Sequence, residues 1–273
     1  MIALTRFFEK IGESVRLSCG LGASFSDKFR LFALVWWFPL RRALKLRVNG
    51  GGTTVRLRNR EGRSFLFTLV DSTDVAVLRE IFLEGEYDIM LESEPKVILD
   101  IGSNVGASVI FFRLKYPSAK IYAFEPNPYI FERLRKNVEQ FPHIEVYPYA
   151  VADTDGTIDF FVYPDSHISS SLIQRTDAQK PTLVPARSLS SLERELSIGH
   201  VDLMKFDIEG GEGRMLRDTN GLHAVGALLG EVHFDLMDDT KESFEKLLAG
   251  FDATYRQIKP ERYIVTARAA SHK

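Results

Sequence analysis

Two short stretches of this 273-residue chain combine small residues and acids at a spacing that suits a nucleotide-containing ligand. The first, Asp100-Ile-Gly-Ser-Asn-Val-Gly106, ends an apolar run with an acid and flanks a turn with Gly102 and Gly106. Glycine there lets backbone approach a ligand closely, and a following helix would offer unpaired N–H groups to an anionic end of it. The second is Glu125, 25 residues further on, at the end of the next apolar run. An acid at that place can accept hydrogen bonds from both hydroxyls of a ribose. Ser103, Asn104 and Pro126 fall inside these turns and are expected to line the same site. Ala150-Val151-Ala152-Asp153 closes a third run, where small apolar residues would sandwich a flat ring and Asp153 would meet its amine.

A second group of residues could handle a proton. Asp207 ends a fourth apolar run with Glu209 and Glu212 just beyond, and His233 ends a fifth with Asp235 after it. Asp207 is the first choice for a general base or for holding the ligand's amino group. His233 is the second, because its unperturbed pKa lies near neutrality, though a hydrogen-bonded strand-end histidine reads equally well. Glu209 joins the candidates, or with Glu212 stabilises a helix N-terminus. Lys205 lies in a buried-looking strand and needs a partner, for which Asp207 or Glu231 would serve. Asp207 with His233 or Asp235 would also suit a divalent cation, but no stretch has dense metal-ligand spacing, so no metal is expected. His167-Ile-Ser-Ser-Ser171 reads as a polar loop or as part of a substrate mouth.

The elements that must carry these residues alternate. Val97–Ile101, Ile121–Phe124, Ile144–Val151, Val201–Phe206 and Ala224–His233 are predicted strands. The first three are separated by helices over Val105–Tyr116 and from Pro128, capped by Asn127, with Ile130, Phe131, Leu134 and Val138 as its buried stripe. Thr157–Val162 is predicted as an extra strand, and Ser190-Ser-Leu-Glu193 as a capping box opening a short helix. After a helix over Thr240–Leu248, Ala253–Ile258 and Tyr263–Ala267 are joined too tightly by Lys259-Pro-Glu-Arg262 for a helical crossover, so they run antiparallel. That ending separates a dehydrogenase, which would repeat the βαβ half, from the methyltransferase version of the doubly wound sheet.

Before this core, Thr54–Arg58 and Ser64–Val70 read as a β-hairpin and Asp71–Glu84 as a helix stopped by Gly85. Gly50-Gly51-Gly52 marks a boundary, giving a basic helical segment (1–52), a hairpin and helix packed on the catalytic domain (53–95), and that domain (96–273). The net charge of −2 divides into +9 over residues 1–60 and −11 over the rest. The apolar stretch Leu31–Leu40 carries Trp36 and Trp37 and is followed by Arg41, Arg42, Lys45 and Arg47. It is too short to span a bilayer. A capping helix is the ordinary reading; the alternative is an interfacial helix making weak membrane-surface contact through residues 31–47. Cys19 is the only cysteine and no secretory pattern opens the chain, which fits a cytoplasmic, or membrane-peripheral, location.

Val97-Ile-Leu-Asp-Ile-Gly-Ser-Asn-Val-Gly106, Phe124-Glu-Pro-Asn127 and Val201-Asp-Leu-Met-Lys-Phe-Asp-Ile-Glu-Gly210 with Glu212 together resemble the FkbM-type methyltransferase family, and the likeness runs from about Val55 to the C-terminus. Gly211 departs from it, where alanine is usual. The resemblance implies an α/β, Rossmann-like class I fold with a seven-stranded sheet and an antiparallel C-terminal hairpin. It also implies S-adenosylmethionine as cofactor and O-methylation of a hydroxyl on a sugar, glycan or secondary metabolite. An NAD-dependent oxidoreductase and a non-catalytic methyltransferase-like binding module are the rivals. Nucleic acid is not the expected acceptor: the basic residues precede the core, and no Asn/Asp-Pro-Pro-aromatic signature follows the fourth strand.

Overall fold

The computed structural model describes residues 2–46, 52–162 and 180–270, in two compact units, Met1–Asp88 and Ile89–Lys273. The expected segments 1–52 and 53–95 therefore share a unit as far as Asp88. Residues 47–51, with Arg47 and the first two glycines of the triplet, lie outside the described residues, as does the loop 167–171.

The N-terminal unit begins with helices α1 (Ile2–Leu21) and α2 (Phe25–Ala43). Ser24 caps α2 by accepting from Asp27 N–H, while the Asp27 carboxylate accepts from Ser24 N–H at 3.2 Å. Strands β1 (Thr53–Arg58) and β2 (Ser64–Leu69) form the expected antiparallel hairpin, with Val55, Leu57, Phe65 and Phe67 buried. Helix α3 (Ser72–Leu78) is capped by Asp71 and continues as a π-helical turn, Arg79–Glu84, that ends on Gly85 in the left-handed region. The sequence pattern shows the helix and its stop; it does not show the wider turn. Phe82 from that turn stacks on Phe65 at 4.9 Å.

In the second unit β3 (Val97–Ile101), α4 (Ala107–Lys115), β4 (Lys120–Phe124), α5 (Pro128–Val138) and β5 (Ile144–Tyr147) wind in one direction. Next come β6 (Ala150–Val151), β7 (Gly156–Val162), β8 (Lys180–Arg187) and α6 (Leu189–Glu195). The chain then returns with β9 (Leu203–Phe206), the short helices α7 (Glu212–Leu216) and α8 (Thr219–Leu222), β10 (Ala227–His233), α9 (Lys241–Leu247), β11 (Phe251–Lys259) and β12 (Arg262–Ala269). Among the described residues the main sheet has seven strands in the order β11-β12-β10-β9-β3-β4-β5. The five strands from β10 to β5 are parallel, and β12 is antiparallel to both its neighbours. This is the doubly wound class I arrangement with its antiparallel hairpin. The order reverses between β3 and β9, so their carboxyl ends open onto the crevice where such sheets hold ligands.

Three predicted details differ. The third strand is broken: β5 ends at Tyr147, and Pro148, which has no N–H to give to the ladder, diverts the chain into β6 of a separate three-stranded sheet, β6-β8-β7. The short helix is capped two residues early, by Ser188, whose hydroxyl accepts from Ser191 N–H; Ser190 instead bonds Asp218. Only Leu203–Phe206 and Ala227–His233 of the fourth and fifth runs form strands, with Val201 joined to Val225 by an isolated bridge. Phe124, Met204, Phe206, Leu228 and Val232 form the middle of the core. Burying a side chain the size of Phe206 contributes about 2 to 3 kcal/mol.

Candidate functional site

Three acids and a lysine share the switch point because of strand register. Asp100 on β3 lies opposite Lys205 on β9, and side chains two apart on a strand share a face, so Asp207 continues that row. Glu231 and His233 do the same at the end of β10. The charge of Lys205 acts on Asp207, as expected, but its close ion pair is with Asp100. Its Nζ lies 3.2 Å from Asp100 Oδ1 and donates to the carbonyl of Gly102 at 2.8 Å. Asp100 is fully buried, so its charge needs this cation, and the cross-strand register supplies it. Asp100 Oδ2 has no hydrogen-bond partner among the described residues.

The turn after β3 is fixed from within. Gly102 and Ser103 N–H both donate to Phe124 carbonyl at 3.0 Å. The Ser103 hydroxyl donates to Asp100 carbonyl at 2.7 Å and accepts from Phe124 N–H, so that side chain is spent on backbone. Gly102 has φ 72°, and a Cβ there would sit 1.9 Å from the carbonyl oxygen of Asp207. Only glycine permits the β3 and β9 ends to approach this closely. Gly106, φ 91°, has the side chain of Leu134 on α5 where a Cβ would go. Asn137 of α5 then holds the turn by donating to Val105 carbonyl at 2.8 Å.

Glu125 faces that turn. Its Oε2 accepts from Asn104 N–H at 3.0 Å and its Oε1 from Asn127 N–H at 2.9 Å. Each oxygen keeps a further lone pair. Burial pushes its pKa from 4.5 up to about 7, against the pull of the two N–H groups and Lys205. Pro126 is half-buried beside it, and Asn104, with φ 48°, is exposed. A carboxylate held by two amides with capacity left over, above a glycine cradle, fits a ribose diol.

Ala150, Val151 and Ala152 are buried, but on the small sheet rather than as the end of a long third strand. Asp153 is tied to Arg214, whose Nε donates to Oδ1 at 2.6 Å.

The proton-handling candidates meet around His233, which is 1% exposed. Its Nδ1 bonds Glu212 Oε1 at 2.9 Å, and its Nε2 lies 3.3 Å from Glu231, 3.6 Å from Glu209 and 4.0 Å from Asp207. Glu212 is fully buried and also accepts from Gly210 N–H. Burial opposes a charged imidazole, but the bonds to Glu212 and Glu231 and the surrounding carboxylates outweigh it and lift His233 to about 11. The surroundings thus favour the charged imidazolium, the form that donates from both nitrogens and accepts no proton. These surroundings weigh against reading His233 as the base. Asp207 moves the other way from an ordinary acid: burial, then the charge of Glu231, raise its pKa well above the usual carboxylate value. Its Oδ1 is buried with no hydrogen-bond partner among the described residues. Asp207, Glu209 and His233 each present one atom within 4.8 Å of the others, a spacing a cation could bridge, whereas Asp235 is held by Arg262 at 2.9 Å.

The sequence suggests Glu231 as a lysine partner and Glu212 as a helix stabiliser, and neither as a partner of His233. The i, i+2 spacing of Glu231 and His233 on one strand was the available signal for the first; the second depends on α7 folding back.

The pattern described as the methyltransferase FkbM domain matches residues 100–256. Hexuronic acid methyltransferase AglP of Haloferax volcanii is 29% identical over 189 residues, covering 66% of this chain and 76% of that protein. The 2-O-methyltransferase NoeI of Sinorhizobium fredii is 28% identical, over 46% of this chain and 58% of its own. The 31-O-demethyl-FK506 methyltransferase FkbM of Streptomyces tacrolimicus is 27% identical, over 56% and 76%. With the antiparallel β11–β12 hairpin, the match sets aside the oxidoreductase alternative. The chain belongs to the FkbM methyltransferase family.

Proposed function

We propose that this methyltransferase uses S-adenosylmethionine to methylate a hydroxyl of a sugar, glycan or other small metabolite. The observation that carries the cofactor is Glu125, a buried carboxylate with two backbone donors and spare lone pairs, facing the glycine turn at the switch point. When bound, S-adenosylmethionine supplies a methyl group on a positively charged sulfur. Glu125 accepts from the ribose hydroxyls, Gly102 keeps the floor of the cradle open, and β6 with Ala152 offers a small apolar wall for the adenine. Carboxylates outnumber cations around His233, a field that favours a sulfonium.

An alcohol must lose its proton as the new C–O bond forms. In this reading Asp207 takes it. Its burial makes the protonated product stable, and its unsatisfied Oδ1 is free to accept a hydroxyl. His233, pinned between Glu212 and Glu231, positions the acidic wall rather than accepting the proton. The same excess of carboxylates disfavours phosphate, which supports a small hydroxyl acceptor over nucleic acid. The relatives named for a hexuronic acid and a 2-O-position support a carbohydrate or metabolite hydroxyl.

The test has two parts. S-adenosylhomocysteine should raise the melting temperature of the native chain and not that of Glu125→Ala. Label from S-adenosylmethionine should pass to a uronic-acid or polyol acceptor with the native chain and not with Asp207→Asn. No melting shift overturns the cofactor assignment. A shift without transfer to any hydroxyl acceptor leaves the binding-module reading in its place.

A further inference from the structure

Helix α2 is apolar on two opposite faces. Leu31, Leu34 and Phe38, at spacings of three and four, are buried inside the N-terminal unit. The opposite stripe, Phe25, Phe29, Ala33, Trp37, Leu40 and Leu44, is exposed, with Phe25 87% and Phe29 67% accessible. Phe29, Ala33, Trp36, Trp37 and Leu40 line an apolar groove of about 560 Å³. Helix α1 widens the surface: Phe7 is 49% and Phe8 62% exposed, and Phe7 meets Trp36 edge-on at 5.7 Å. A helix buried on one side is ordinarily polar on the other, and patches of this kind mark an interaction surface.

The charge around the patch selects its occupant. Arg30, Arg42 and Lys45 are exposed at its edges, and residues 1–60 carry twelve basic side chains against three acidic. A second copy would bring the same positive charge to the interface. An anionic surface with an apolar interior answers both features. Among the described residues no helix is long and apolar enough to cross a membrane, so contact is confined to the interfacial region. We propose that α1 and α2 form a membrane-docking face that seats Phe25, Phe29, Trp37, Leu40 and Leu44 below the headgroups of an anionic lipid bilayer, with Arg30, Arg42 and Lys45 on the phosphates. Interfacial helices bind through this combination of buried apolar area and attraction to anionic lipid.

The chain contains two tryptophans, Trp36 and Trp37, and both lie on this face, so intrinsic fluorescence reports it directly. The full chain is mixed with vesicles of phosphatidylcholine alone or with about one third phosphatidylglycerol, a fraction that gives a strongly negative surface. Expected are co-sedimentation and a blue-shifted tryptophan emission with the anionic vesicles, weakened by high salt, and little of either with the neutral ones. The triple variant Phe29→Ser, Leu40→Ser, Leu44→Ser should lose partitioning by about tenfold or more, since each removes an exposed apolar side chain that the bilayer would cover. An unchanged far-ultraviolet circular dichroism spectrum and an unchanged pattern of limited proteolysis within residues 1–88 show that the N-terminal unit of that variant is folded; if they change, Arg30→Glu with Arg42→Glu serves as the second variant. No binding to anionic vesicles, or native-like binding by the folded variant, overturns the proposal. So does a blue shift that follows protein concentration without vesicles, with a dimer in sedimentation velocity, since the face would then be a contact between copies.

Discussion

Lowering the pH from 8 to 5.5 should weaken S-adenosylhomocysteine binding through Glu125 alone. Its carboxyl is raised from 4.5 to about 7 by burial, and the ribose hydroxyls are donors that need the ionised form. Below pH 7 each unit costs a factor of ten, so at pH 5.5 the dissociation constant rises about thirtyfold, or about 2 kcal/mol. Linkage requires binding to release protons, about 0.9 per nucleoside at pH 6 and few at pH 8. The shift acts on the cofactor-free fold with the opposite sign. A carboxyl raised in the folded state favours folding when protonated. That contribution is complete below the unfolded value of 4.5 and is lost as pH rises through about 7, a difference of about 3 kcal/mol. From this group, acidification steadies the free protein while it weakens the complex. Isothermal titration at four pH values, in two buffers of different ionisation enthalpy, reads affinity and proton release together. A dissociation constant flat over this range refutes the assignment, and so does the same slope in Glu125→Gln.

Asp207→Asn should lower kcat by about 10² to 10⁴ with S-adenosylhomocysteine affinity nearly unchanged, and equal loss in both would place Asp207 on the cofactor instead. Lys205→Met leaves the fully buried Asp100 without its cation and should cost about 3 to 5 kcal/mol in urea unfolding, with partial recovery in Lys205→Met/Asp100→Asn. A loss under about 1 kcal/mol would mean that the Asp100 charge is satisfied another way. By NMR the His233 ring should stay charged from pH 5 to 9, and Glu212→Gln should bring its pKa down from about 11 by removing the carboxylate on Nδ1. Titration of His233 near 6.5 in the native chain would contradict the imidazolium and restore it as a base.

The sequence by itself determined the order of strands and helices, the antiparallel ending, and the glycine turn after β3 with Glu125 at the end of β4. Those features are local. Val97–Ile101, the glycines at 102 and 106, and Asn127-Pro128 specify their conformations through hydrophobic period, φ range and cap chemistry within a few residues. Glu125 was legible because a strand end fixes where an acid points. Tertiary structure decided the charges. Lys205 meets Asp100, about a hundred residues away, only through parallel register across the switch point, and no local pattern encodes that pairing. His233 looked like a base because its ordinary pKa is near neutral. Packing Glu212, Glu231 and Asp207 around it raises its pKa, and that is why the proposed base is Asp207 instead. For α2 the sequence allowed both a capping and an interfacial helix. A helix apolar on both faces reads as buried until the fold shows which face it covers.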